Sequence, residues 1–412
     1  MFKPEYLDMS KIIKSERIVK LFAAVEEHGG SIRFVGGAVR DTLAGLSGFD
    51  LDLATDLSPD ELVEACEDFH LKTVPIGLKT DTIGVVIDNQ IMEVSSLKHK
   101  NKKHNNNLWL AGYTDDWSAD ASQRDLTINA VYADLQGNVF DYYNGIDDLE
   151  KGIVRFIGNP NDRIQEDYLR IMRFFRFYSI FGKQPINQEA LQACIKHKKG
   201  LRKIAIERVR DELFKLLTTP HAAATLQIIF ENDILGYFLP PSPHLDALER
   251  LTKIVSDANY EGNFLRRLFV MYQTNSVQAD DIARTLRFTK KQKETFVKWA
   301  LINLTTENMA SKPARKQIVY RYGKQFAIDK ILISAAIYDV DISIIGDVLR
   351  EIDDMIIPIF PLRGRDLLDK VTDKEQIGIY LSQLEQAWID SDFSLNREEL
   401  LHLAEKIIHN GA

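Results

Sequence analysis

Two aspartates, Asp50 and Asp52 in the run Phe49-Asp50-Leu51-Asp52-Leu53, are the sharpest chemical feature of this 412-residue chain. In a strand, residues two apart share a face, so the two carboxylates project together while Phe49, Leu51 and Leu53 turn toward a core. Two such charges about 5 Å apart repel by roughly 3 kcal/mol at an effective dielectric of 20, a cost that bound cations offset. Hard oxygen ligands in this small number suit Mg²⁺, which keeps waters and substrate phosphates in its other positions. Two ions about 3.5 to 4 Å apart can hold the attacking and leaving oxygens of a phosphoryl displacement. Glu93, in Ile91-Met92-Glu93-Val94, is the candidate third carboxylate on a neighbouring strand, with a surface strand carboxylate as the alternative.

Upstream stands Phe34-Val35-Gly36-Gly37-Ala38-Val39-Arg40-Asp41. Without β-carbons, Gly36 and Gly37 let backbone N–H groups approach a triphosphate, and a helix starting near Ala38 adds a favourable dipole. A tight connection with no ligand explains a Gly-Gly pair alone. Joined as strand, glycine turn, helix and acidic strand, the combination favours phosphate chemistry. The next block is Gln123-Arg124-Asp125-Leu126-Thr127-Ile128-Asn129. Arg124 could bond phosphate or ribose oxygens, and Asp125 and Asn129 would share a face of an incipient helix; the alternatives are a capping Asp125 and a solvated Arg124. In the third block, 163–173, a helix would pair Glu166 and Asp167 with Arg170 inside itself. The same groups could instead read a base edge: a carboxylate accepts from an exocyclic amine while a guanidinium donates to the ring nitrogen beside it. Cytosine and adenine share that edge, whereas uracil and guanine present a carbonyl beside a protonated nitrogen. Asp167 and Arg170, with Glu166 holding Arg170, could therefore accept CTP and ATP and reject UTP and GTP.

Thirteen of the 22 glycines fall in residues 1–158. There, short β-branched runs at 31–35, 49–54, 82–87, 90–95 and 139–142 alternate with helical stretches at 18–27 and 59–68, an α/β or α+β head. From about residue 159 apolar residues recur at helical spacing. Breaks are expected at Leu-Pro-Pro-Ser-Pro, 239–243, and at 358–365. The composition, 45% apolar and 27% charged, is that of a globular protein. No apolar run reaches the roughly 18 to 20 residues of a membrane-spanning helix, and residues 1–20 lack the apolar core of a secretory signal, which predicts a cytoplasmic address. Cys66 and Cys194 cannot build a disulfide framework or a four-ligand zinc site and are expected to be buried thiols. Nine histidines without a His-x-x-x-His pattern leave any catalytic metal to carboxylates. A net charge of −8 argues against a polyanion-coating protein but allows a local basic groove. Residues 311–326 carry five cations (Lys312, Arg315, Lys316, Arg321, Lys324), no acid and three aromatics, a composition suited to RNA phosphates and stacking or to a solvated helix face. Residues 196–203 form a second basic cluster.

Taken in order, the blocks resemble the bacterial, class II branch of the tRNA nucleotidyltransferase and poly(A) polymerase family. Its patterns are Gly-Gly-x-Val-Arg-Asp with a following Asp-x-Asp, Arg-Arg-Asp-Phe-Thr-Ile-Asn-Ala, Gly-x-x-Asp-Leu with Gly-x-x-Arg-x-x-Gly, and Glu-Asp-x-x-Arg-x-x-Arg. They stand here at 36–52, 123–130, 145–158 and 166–173, with a weaker helical match from Ile206-Glu207-Arg208 to Glu212. Residues 360–368 are similar to the tail region of CCA-adding enzymes. The resemblance implies an α+β, polymerase-β-like nucleotidyltransferase head (1–158), then all-helical neck (159–238), body (239–356) and tail (357–412). It implies that Asp50 and Asp52 bind the catalytic Mg²⁺, with Glu93 the candidate catalytic carboxylate beside them; that Gly36, Gly37 and Arg40 meet the triphosphate; that Arg124, Asp125 and Asn129 bind the incoming nucleotide; and that Glu166, Asp167 and Arg170 form a base-reading template supported by Arg173. Gln123, Leu126 and Lys98 depart from the family's usual arginine, phenylalanine and arginine. Because 77–81 reads Gly-Leu-Lys-Thr-Asp and the chain is acidic, CCA addition is favoured over poly(A) synthesis, and the missing His-Asp pair excludes an appended phosphohydrolase. The expected function is template-independent addition of CCA to the tRNA 3′ end from CTP and ATP with release of pyrophosphate. Alternatives are a CC-adding, A-adding or poly(A) enzyme, or a catalytically inactive RNA-binding relative.

Overall fold

The computed structural model describes residues 6–11, 13, 15–46, 51–76, 82–100, 111–241, 243–371 and 374–410. Contacts divide them into two units, Met1–Pro241 and Ser242–Ala412, a boundary inside the proline run.

Among the described residues of the first unit are nine strands: β1 Ile32–Val35, β2 Asp52–Thr55, β3 Thr73–Pro75, β4 Thr82–Ile87, β5 Gln90–Ser96, β6 Lys98–Lys100, β7 Ala111–Tyr113, β8 Val131–Ala133 and β9 Val139–Asp141. Seven form one sheet in the order β3-β4-β5-β2-β1-β8-β9, and β6 pairs with β7. The β-branched content of these runs suits a pleated, half-buried surface. One face of the sheet packs Phe34, Leu53 and Val94 against Leu21, Phe22 and Leu62, which come from the helices Glu16–Glu27 and Pro59–Asp68. The second helix opens with Pro59 in its first turn, and Ser58 and Glu61 cap it reciprocally. Leu53 is buried and Leu51 packs beside it, the alternation expected from the sequence. The other face gathers Val35, Ala54, Leu97, Trp117 and Tyr132.

Register places the acidic residue of β2. Asp52 lies opposite Val35 of antiparallel β1 and opposite Glu93 of parallel β5; Val35 in turn lies opposite Tyr132 of β8. Directly paired residues share a face, so Glu93, Asp52, Val35 and Tyr132 form a row across four strands. Immediately after Val35 the chain turns at Gly36, with φ +66°, into the helix Gly37–Leu43. A side chain at that φ would be strained, which accounts for glycine there.

The helical part of this unit includes Pro160–Glu166, Arg170–Phe181, Gln188–His197 and Ile206–Leu217. Phe174 and Phe175 are fully buried, and Phe156 stacks on Phe174 with centroids 5.4 Å apart. One expectation needs correction: 163–173 is not a single helix. Asp167 is extended (φ −150°, ψ 109°) and separates two helices, because its carboxylate accepts from the Leu169 N–H at 3.0 Å and pairs with Arg208 at 2.8 Å instead of Arg170.

The second unit is helical among its described residues, from Leu245–Asp257 to Arg397–Asn410. Leu362, Leu367, Leu384, Trp388 and Leu400 form a core of their own near the carboxyl end. The basic run 311–326 folds into the helices Lys312–Tyr322 and Lys324–Tyr338. Arg315 is a further correction. It is buried, donating to Glu351 Oε2 at 2.5 Å and to the Met309 carbonyl at 2.5 Å, so it braces the unit rather than offering charge to RNA. Lys316 donates to the Asp392 carbonyl at 3.2 Å, Arg321 to Gln386, and Lys324 to the Asp353 carbonyl at 2.5 Å; Lys312 is exposed.

Candidate active site

A cleft of about 650 Å³ opens where the glycine turn, the start of β2, the 123–129 segment and the helices after Asp167 converge. That volume is within the usual range for small-ligand sites. Seven cations line it (Arg40, Arg124, Arg170, Arg173, Arg176, Arg208, Lys215) against four carboxylates (Asp41, Asp52, Asp125, Asp167). In a chain of net charge −8 this is a concentrated cationic basin, suited to a polyanionic ligand. It is the local basic groove that the overall charge left open.

The glycine turn forms one wall. A Cβ built on Gly36 would lie 3.8 Å from Asp52 Oδ2 and 3.8 Å from Arg124 NH1, so a carboxylate and a guanidinium both reach the turn. Arg40, on the helix after the turn, donates to Asp41 Oδ1 at 2.8 Å and to Asn129 Oδ1 at 2.5 Å. Its guanidinium lies over Phe177, 4.6 Å from the ring centroid. Asn129 donates to Asp125 Oδ1 at 2.9 Å, and Arg173 donates to Asp125 Oδ2 at 2.5 Å. Arg40, Asn129, Asp125 and Arg173 are thus one continuous network under the cleft. Asp125 and Asn129, expected to share a helix face, are joined by a hydrogen bond, but the segment is only a 3-10 turn at Thr127–Asn129, and Asp125 precedes it.

Burial raises the Asp125 pKa, but the Arg173 charge and the hydrogen bonds from Arg173, Asn129 and the Leu126 N–H outweigh it, so the carboxyl stays below its usual range. A depressed folded-state pKa adds stability that is complete above the unfolded value, near 4, and lost as pH falls through the folded one. Asp125→Asn is expected to lower stability by about 2 to 4 kcal/mol near neutrality, because Arg173 loses its buried partner. Thermal melts from pH 7 to pH 2 check this: the gap between wild type and variant should narrow below about pH 4, and a gap independent of pH would contradict it.

At the opposite wall, Glu166 accepts from Arg170 at 2.7 Å and pairs with Arg163 at 3.1 Å. Arg170 also donates to the Gln123 carbonyl at 3.1 Å. Asp167, paired with Arg208, and Arg170 both line the cleft. The Tyr168 ring between them packs so closely on Gly200 that a Cβ there would overlap it. Gly200→Ala is therefore expected to cost about 1 to 3 kcal/mol of stability through overpacking, read as a lowered thermal midpoint; an unchanged midpoint would show that Tyr168 has room to move.

The structure thus gathers Gly36, Gly37, Arg40, Asp52, Arg124, Asp125, Asn129, Asp167, Arg170 and Arg173 around one cleft. Glu166 stands behind Arg170, and Glu93 stands beside Asp52 in the strand row. Asp50 lies outside the described residues. Arg176, Arg208 and Lys215 were not singled out as site residues. Arg176 continues the three-residue spacing of Arg170 and Arg173 along one helix face, a signal that could have found it. Arg208 lies in the weaker match at 206–212, and Lys215 has no distinguishing signal. The basic residues at 312–324 belong to the second unit.

Residues 32–155 match the Poly A polymerase head domain family. Residues 185–248 match a family described as the probable RNA and SrmB-binding site of polymerase A. The chain is 30% identical over 402 residues to mitochondrial CCA tRNA nucleotidyltransferase 1 of Mus musculus, covering 94% of this chain and 89% of the relative. The chain belongs to the tRNA nucleotidyltransferase and poly(A) polymerase family. Within it, the CCA-adding enzyme of Staphylococcus haemolyticus is 29% identical over 348 residues, 83% of this chain and 82% of that enzyme. The fold is that of the Bacillus stearothermophilus CCA-adding enzyme crystallised with CTP, with a TM-score of 0.76 over 100% of this chain and 99% of that one at 21% identity. Nucleotidyltransferases of this family generally use divalent metal ions. The donor set fits such a group: Asp52 offers hard carboxylate oxygen at the glycine turn, with Glu93 next to it in register. Among the described residues no three metal-ligating side chains cluster. No helix among them is long and apolar enough to cross a membrane.

Proposed function

We propose that this chain is a template-independent tRNA nucleotidyltransferase that adds C, C and A to the tRNA 3′ end from CTP and ATP, releasing pyrophosphate. The observation that carries the reading is the cleft itself: Asp52 and the glycine turn at one wall, Asp167 and Arg170 at the other, with a surplus of guanidinium groups between them. Similarity to CCA tRNA nucleotidyltransferases over nearly the whole chain supports the choice of reaction.

Asp50 and Asp52 would hold Mg²⁺, which when bound would supply activation of the 3′ hydroxyl and neutralise charge on the leaving pyrophosphate. The chain's own residues bind and orient. Backbone N–H groups of the Gly36 and Gly37 turn, the amino end of the following helix and Arg124 receive the phosphates. The Asp125, Asn129, Arg40 and Arg173 network fixes the floor on which sugar and phosphates rest. Asp167 accepts from the exocyclic amine of cytosine or adenine while Arg170, held by Glu166, donates to the neighbouring ring nitrogen. Fixed donors aimed at developing charge lower the barrier without a protein nucleophile. Glu93 is the third carboxylate of the site, beside Asp50 and Asp52. Lys312 and Arg321, the exposed cations of the 311–326 run, meet tRNA phosphates. A reducing cytoplasmic setting suits the free, buried thiols Cys66 and Cys194.

The test is to incubate tRNA lacking its CCA end with CTP and ATP and sequence the products. Complete CCA ends are the expected result; ends stopping at CC, ends gaining only A, homopolymeric A tails or no extension would each replace this reading.

A further inference from the structure

The row across the sheet includes a residue that the reaction does not use directly. Tyr132 is fully buried, two strands from Asp52, with its ring edge-on to Trp117 at 5.4 Å and 86°. Its hydroxyl is not left to packing. It donates to Asp120 Oδ2 at 2.7 Å, the stronger acceptor, which leaves a lone pair for the Arg124 Nε–H at 3.0 Å. Arg124 NH2 also lies 3.4 Å from Asp120 Oδ2. Asp120 sits on the short helix Trp117–Ala121, whose start is capped by Asp116 accepting from the Ser118 and Ala119 N–H groups. One edge of the Arg124 guanidinium, Nε–H and NH2, is therefore committed to this chain, and NH1 is the part directed at Gly36.

We infer that Tyr132 and Asp120 are positioning residues that lock Arg124 with NH1 facing the glycine turn, setting the affinity for the triphosphate common to CTP and ATP. The inference rests on the nucleotidyltransferase reading of the cleft. Burial disfavours charge on Arg124, and the neighbouring Tyr132 and Asp120 more than restore it, so the guanidinium stays cationic inside the protein. A half-buried arginine with free torsions would distribute its NH1 over several directions; the hydroxyl and carboxylate remove that freedom before any ligand arrives. Preorganisation of this kind is read as affinity rather than as turnover. Because phosphates carry no base identity, its loss must weaken CTP and ATP alike. A residue serving the base edge would instead change their ratio.

Tyr132→Phe removes the hydroxyl and keeps the ring on Trp117. With tRNA lacking CCA as primer for CTP and tRNA ending in CC for ATP, KM for both nucleotides is expected to rise roughly tenfold, by the same factor, with kcat changed less than about threefold. Calorimetric binding of CTP and ATP to the full chain with Mg²⁺ should weaken in parallel. Asp120→Asn, a second variant that keeps the side-chain shape, should move both constants in the same direction, and it carries the test if Tyr132→Phe melts early. Unchanged KM and binding in both variants, or a change confined to one nucleotide, would overturn the inference. Absence of incorporation by the wild-type chain would instead overturn the proposed function, while the binding comparison would still decide the role of Tyr132.

Discussion

Asp52→Ala is expected to reduce CMP and AMP incorporation at least about a thousandfold while leaving the fold intact. The size follows from the role proposed for the carboxylate: with one of two metal-holding anions gone, charge on the attacking and leaving oxygens would lose several kcal/mol of stabilisation. Stability should be spared because Asp52 is exposed at the first position of β2, whereas Leu53, Ala54 and Thr55 after it carry the packing. Removing Asp52 also takes a like charge from beside Glu93, and like charges directly opposite in a sheet are destabilising. Single-turnover assays at saturating nucleotide, with a thermal melt alongside, separate the two effects. Activity within tenfold of wild type, with an unchanged melt, would remove Asp52 from the catalytic centre. Asp52→Asn should be nearly as inactive, since a neutral amide oxygen has the shape but not the charge to hold a divalent ion.

The residues that made this site legible are those whose local chemistry and tertiary role agree. The helix Pro59–Asp68 is bounded as expected because its capping box and opening proline act within four residues of each other. Strand β4 is bounded as expected too, and β5 runs one residue further, to Ser96. The closeness of Glu93 to Asp52 could be suggested from sequence, but its register could not, since a parallel pair depends on the crossover and the sheet order. The break at Asp167 was hidden for a related reason. Glu166 and Arg170 do pair at 2.7 Å across four residues, as they would on a continuous helix, and only the distant Arg208 shows why the backbone leaves helical geometry between them. Arg315 illustrates the opposite failure: a run of basic and aromatic residues has the composition of an RNA-binding surface whether its cations face solvent or, like Arg315, are buried against a half-exposed carboxylate. Composition carries charge but not direction.

Asp167→Ala should collapse nucleotide selectivity more than any other single change in the cleft. Asp167 is the carboxylate at the wall proposed to read the base, held extended by the Leu169 N–H and by Arg208. As an acceptor it rewards the amine of cytosine or adenine and repels the carbonyl of uracil or guanine, so its loss removes both an attraction and a rejection. Preference for CTP over UTP, and for ATP over GTP, is expected to fall by about 10- to 100-fold, the 1 to 3 kcal/mol of a base-edge contact, with incorporation of CTP itself also reduced. Arg208→Ala is the informative partner. It leaves the carboxylate in place but frees it to move, so CTP and ATP incorporation should drop while discrimination against UTP and GTP persists in large part. Competition assays with mixed nucleotides, read by sequencing the extended tRNA, compare the two variants directly. If Asp167→Ala keeps its preference for C over U while Arg208→Ala loses it, the guanidinium rather than the carboxylate reads the base, and the template assignment must be redrawn around Arg170 and Arg208.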